Sequence, residues 1–139
     1  MEQIDASILK KLKRPDERSH KGKNGRILVI AGSEKYHGAL LLALQTTSRI
    51  VDMVYVHSSD NNLPLIQHLK SEISTFISIG KNSLKETIEI VDSILIGPGL
   101  PENGDTISLV HGILQDYPEK KIIVDATALW HVNPKSLHA

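Results

Sequence analysis

The 139-residue sequence has no cysteine. That excludes disulfides, thiolate nucleophiles and Cys-ligated zinc, and it fits a reducing compartment. It has no surplus charge either: 16 Lys and Arg balance 16 Asp and Glu. Binding to a nucleic-acid backbone or an anionic membrane surface draws on a basic surplus, so neither partner is expected. No apolar run approaches the ~20 residues that cross a bilayer. The opening stretch, MEQIDASILKKLKRPDE, carries Glu2 and Asp5 and has no apolar h-region, so it does not read as a secretory signal. What remains is a cytoplasmic globular protein, with residues 1–139 fitting a single domain.

Against these absences stand five apolar strand candidates: RILVIAG (26–32), MVYVHSS (53–59), STFISIG (74–80), SILIGPG (93–99) and KIIVDAT (121–127). The stretches between them, 38–50, 61–71, 81–91 and 103–116, are long enough to hold crossover helices, which parallel strands require and hairpins do not. The first, fourth and fifth candidates are nearly continuous in Ile, Leu and Val, as in strands covered on both faces. The expected fold is α/β, a doubly wound, mainly parallel sheet with helices on both faces. A further short helix is expected over 5–13, with Asp5 as its cap and an end before Pro15.

In open parallel sheets, ligands bind beyond the carboxyl ends of the strands. After the first strand comes Gly32-Ser33-Glu34-Lys35-Tyr36-His37-Gly38-Ala39. After the fourth comes Gly97-Pro98-Gly99, and after the fifth Asp125-Ala126-Thr127. Glycine lets backbone approach a ligand where a Cβ would collide. A helix starting at Gly38 would aim free N–H groups at a phosphate, although glycines also simply end strands. Asp125 could hold a cation or a ribose hydroxyl, or cap the following turn. Two common phosphate loops do not fit. Five residues separate Gly32 from Gly38, and Ala39 follows, where a Walker loop needs four and then Lys. The first loop also lacks the GxG of a dinucleotide fingerprint. There is no GxSxG elbow around Ser33, and the seven histidines form no HxxxH pair, so no metal ligand set is expected.

Taken in order, HKGKNGRILVIAGS, YHGALLLAL, SILIGPGL and IIVDATAL resemble the ADP/ATP-dependent NAD(P)H-hydrate dehydratase family of the ribokinase-like superfamily. The resemblance runs over about residues 18–130. It implies a ribokinase-like, Rossmann-like fold and repair of hydrated nicotinamide cofactors, NADHX and NADPHX. The cosubstrate would be ATP or ADP with Mg2+. By family position, Ala39 and Gly99 would touch the hydrated dinucleotide, with Gly38 and Gly97 in support and Asp125 beside them. His20-Lys21-Gly22 matches a family signature whose role the sequence does not give. Family members assemble as homo-oligomers.

This sequence departs from the family in three places. Ile50-Val51-Asp52-Met53-Val54 stands where GAGLV is common, and Thr127 where Asp is frequent. The later T-P-H-x-G-E and N-x-G-T-G-D elements do not occur. The second of these carries the catalytic base, so the expectation is the amino-terminal portion of a dehydratase domain, incomplete at its carboxyl end. Two other readings remain: a ribokinase-like small-molecule kinase, and a nucleotide-binding module without catalysis.

Overall fold

The structure is a computed structural model that describes Ser7, Lys10 and residues 15–132. Five strands form one sheet: β1 (Arg26–Ile30), β2 (Met53–His57), β3 (Phe76–Ser78), β4 (Ser93–Ile96) and β5 (Lys121–Val124). Four helices alternate with them: α1 (Gly38–Thr47), α2 (Leu63–Leu69), α3 (Leu84–Ile90) and α4 (Gly104–Asp116). The expected helix over 5–13 lies outside the described residues apart from Ser7 and Lys10.

The strand order is β3-β2-β1-β4-β5, and every pairing is parallel. The chain winds outward from β1 to β3, then crosses back to lay β4 on the other side of β1. Order therefore reverses between β1 and β4, and the carboxyl ends of those two strands flank the switch point. Register is set by the core. Leu28 and Ile30 point to one face and join Ile94, Ile96, Val110 and Ile113. Ile27, Val29 and Ala31 point to the other and join Leu40, Leu44, Val54, Val56 and Ile66. Alternate side chains of a strand face opposite ways, so β1 feeds two cores. Helices α1 and α2 cover one face of the sheet, and α3 and α4 the other.

Local chemistry places the helix starts. Pro64 sits in the first turn of α2, where its missing N–H costs nothing. Asn103 caps α4, its side-chain oxygen accepting from Thr106 N at 2.9 Å.

The fifth strand differs from expectation. It is half-exposed, and Ile123 is 52% accessible. Ile122 and Val124 pack on the α3/α4 side, but among the described residues no element covers Ile123 on the α1/α2 side. A continuous apolar run marks a strand able to be buried on both faces, not one that is.

Candidate functional site

All five strands run the same way, so the segments that follow them gather at the sheet's carboxyl edge. Gly32, Gly38, Gly97, Gly99 and Asp125 all lie there. Backbone hydrogen bonds tie these segments together. Gly32 N donates to Pro98 O at 2.8 Å, Gly97 N to Ile30 O at 3.1 Å, and Asp125 N to Ile96 O at 3.0 Å. Thr127 Oγ1 donates to Leu100 O at 3.1 Å.

The glycines have structural causes of different strength. Gly97 has φ +126, and a Cβ there would overlap the Asp125 carbonyl. Gly99 has φ +68, and a Cβ there would overlap the Tyr36 carbonyl. The chain itself, before any ligand, demands glycine at both positions. Gly38 is the opposite case: nothing lies within 4 Å of a Cβ built on it, and its φ is not in the left-handed region. Ala39 is partly buried in the first turn of α1.

That first turn lies at the carboxyl edge beside the switch point. His37 provides no side-chain cap, and no acidic residue occupies the first turn. The N–H groups of a helix's first turn have no intrahelical partner, and they carry the positive end of the dipole. Gly38 leaves the space before them empty. Asp125 is exposed at the end of β5, and its side chain does not cap the turn that follows (Ala126–His131). Ala126 holds φ +44, a conformation that costs a non-glycine residue of order 1 kcal/mol or more.

The HKG segment is elsewhere. It precedes β1 and folds over the start of β2, at the amino edge. Gly22 N and Asn24 N each donate to Asp52 Oδ2 at 3.0 Å, and Asn24 Nδ2 reaches Asp52 as well. These donors, the Asn24 amide first, hold the Asp52 carboxyl below the ordinary aspartate range. His20 and Lys21 are exposed there. Asp52 is one of the departures from the family pattern. Its role was not legible beforehand, because its partners lie 28 and 30 residues away.

A buried asparagine also stands outside the sequence expectations. Asn62, in the short turn Asp60–Asn62 after β2, is 1% exposed and touches Ser33 of the first loop. Nothing in its local sequence, SSDNN, marks it.

Among the described residues, no group of three or more His, Asp or Glu could hold a metal ion. No helix among them is long and apolar enough to cross a membrane.

Fold and edge together define an open, doubly wound α/β protein with an uncapped helix start at its β1/β4 switch point. Comparison with known proteins narrows this. Residues 27–139 match the family model described as NAD(P)H-hydrate dehydratase, and the chain belongs to that family. It is 33% identical over 132 residues to the ADP-dependent (S)-NAD(P)H-hydrate dehydratase of Streptococcus pneumoniae, covering 93% of this chain and 46% of that one. Among solved structures it is similar to the ADP/ATP-dependent NAD(P)H-hydrate dehydratase of Bacillus subtilis co-crystallised with ATP/Mg2+. That likeness has TM-score 0.67 and 34% identity, over 85% of this chain and 43% of that one. A ribokinase-like superfamily protein from Enterococcus faecalis gives TM-score 0.80 at 22% identity, over 92% and 46%. The fold is thus ribokinase-like, and the chain spans less than half the length of these relatives.

Proposed function

We propose that residues 1–139 form one α/β unit, the amino-terminal part of an ADP- or ATP-dependent NAD(P)H-hydrate dehydratase, and carry its dinucleotide side. The substrate is NAD(P)HX. A nucleoside phosphate with magnesium supplies the phosphoryl group that turns the added hydroxyl into a leaving group. Loss of phosphate then restores NAD(P)H. The part played by this chain is binding and orientation. Gly38 and Ala39 leave room for the dinucleotide at the uncapped start of α1. Gly97 and Gly99 hold the facing β4 loop low, and Asp125 offers a carboxylate at the rim. The expected base belongs to family elements that do not occur in these residues.

The observation that carries this reading is Gly38. Of the site glycines Gly32, Gly38, Gly97 and Gly99 it is the one that the chain's own packing and φ do not require, and it stands before an uncapped start of a ten-residue helix beside β1. The kinase alternative has no such observation in its favour. Two finer expectations stand beside this: from its composition the protein works in the cytoplasm, and from its family it works as a homo-oligomer, which light scattering would check.

Gly38→Val tests the site. It fills open space, so the thermal midpoint should stay close to wild type. Calorimetric titration with NADP as a surrogate should show affinity lower by about tenfold or more, equivalent to about 1.4 kcal/mol. An unchanged affinity would reject the carboxyl edge at α1 as the dinucleotide site. Recovery of NADPH from NADPHX with ATP or ADP and magnesium, in a chain joined to the family's later elements, tests the reaction.

A further inference from the structure

Resting on that reading of the carboxyl edge, we propose that Asn62 is a positioning residue: it fixes the loop between β1 and α1 in the shape that presents Gly38 and Ala39 to the dinucleotide. Asn62 comes from the loop after β2, one strand away from the residues it holds. Its Nδ2 lies 3.3 Å from Ser33 O, 2.8 Å from Ser58 Oγ and 3.1 Å from Ser59 Oγ. The amide has two N–H groups for these three oxygens. The serine hydroxyls can turn to other partners, whereas the Ser33 carbonyl cannot.

The contact matters because of what Ser33 does next. Its Oγ accepts from Tyr36 N at 3.1 Å, and its own N donates to Tyr36 O at 3.4 Å. That closes the turn leading into His37 and Gly38. Tyr36 O is also the atom pressed against Gly99. On the other side, Gly32 N is held by Pro98 O. The loop is therefore clamped between β2, through Asn62, and β4, through Pro98. Gly32 fits the same clamp: a Cβ there would stand 2.9 Å from Asn62 Nδ2. A donor is required at position 62, since a carboxylate would set acceptor against acceptor at Ser33 O.

The test pairs Asn62→Asp, close in shape but lacking the donor, with Asn62→Ala. In the ligand-free protein, amide exchange should accelerate at Ser33 and Tyr36 while Leu28 and Val29 in β1 keep their protection. NADP affinity should fall by about tenfold in protein that is fully folded by circular dichroism. If one variant does not fold, the other carries the measurement. A residue that only supports the core would lower the thermal midpoint, speed exchange across β1 as well and leave the affinity of folded protein unchanged; that result overturns the proposal. Exchange at Tyr36 unchanged in both variants overturns it too. If wild type binds no NADP, the dinucleotide reading fails on its own account, and local exchange at Ser33 and Tyr36 still decides whether Asn62 sets the loop.

Discussion

The two edges of the sheet are held by different chemistry. At the carboxyl edge the loops are fixed by backbone and neutral side chains: Gly32 N on Pro98 O, Gly97 N on Ile30 O and Asp125 N on Ile96 O, with Asn62 on Ser33 O and Thr127 on Leu100 O, and glycines where two segments approach closely. At the amino edge the ties run to carboxylates. Asp52 gathers the N–H groups of Gly22 and Asn24. Asp92 accepts from Arg26 N at 2.8 Å and pairs with its guanidinium at 3.2 Å. The carboxyl edge does hold a carboxylate, Asp125, but it is exposed and does not cap the turn that follows. The difference implies that acid and salt should loosen the amino edge and leave the carboxyl edge alone.

The largest expected effect is at the carboxyl edge. Gly97→Ala places a methyl group against the Asp125 carbonyl, which is backbone of a paired strand end and cannot swing away. The left-handed φ alone costs of order 1–3 kcal/mol, and overpacking typically adds about 1–3 more. Against a total stability of about 5–15 kcal/mol, much of the folded population is lost. Denaturant unfolding should show a sharply lowered midpoint, insensitive to pH and salt. A near-wild-type midpoint would mean that β4 and β5 can separate at this edge, breaking the contrast.

Asp52→Ala comes next. It leaves the Gly22 and Asn24 N–H groups without their acceptor, so exchange at those two amides should rise while Tyr36 is unaffected. The pH dependence has a definite sign. The folded carboxyl titrates below its unfolded value, usually about 3.9. Its contribution is therefore complete above that value and is lost as pH falls through the lower folded one. Wild type and Asp52→Asn should differ in thermal midpoint at neutral pH and converge in strong acid. A gap that persists in acid would assign the latch to packing rather than to the carboxylate.

Much of this arrangement was readable in advance because it is local or periodic. The strand starts 26, 53, 93 and 121 coincide with those observed, and the helices at 38–50 and 103–116 begin within a residue of Gly38 and Gly104. The strands end earlier than their apolar candidates. The apolar run of β4 continues through Gly97-Pro98-Gly99, but pairing stops at Ile96, because Gly97 turns the chain at φ +126. The placement of Gly32, Gly38, Gly97, Gly99 and Asp125 at one edge followed from parallel topology. Which glycine serves the fold and which leaves room did not, since that depends on the Asp125 and Tyr36 carbonyls arriving from distant segments. Asp52 and Asn62 stayed hidden for the same reason: their meaning lies in partners far along the chain.

The smallest expected effect sharpens the comparison at the amino edge. Arg26 and Asp92 pair at the surface, with side chains 36% and 52% exposed, so solvent and salt screen their attraction. Such pairs are worth about 0–1 kcal/mol, and Asp92→Asn should cost no more than that. The Arg26 guanidinium, hydrogen-bonded to it, holds the Asp92 carboxyl below its ordinary value. The contribution is then present above about pH 4 and fades as acid protonates Asp92 through its lowered folded pKa. Part of the interaction is not ionic, since Arg26 N also donates to Asp92 Oδ2. An Asn side chain keeps an oxygen for that bond. High salt should therefore erase most of the difference between wild type and Asp92→Asn, whereas Asp92→Ala should retain a salt-independent remainder. Equal losses for both variants at every salt concentration would leave charge with no part in the tie, and the amino edge would be held, like the carboxyl edge, by uncharged hydrogen bonds from backbone N–H groups.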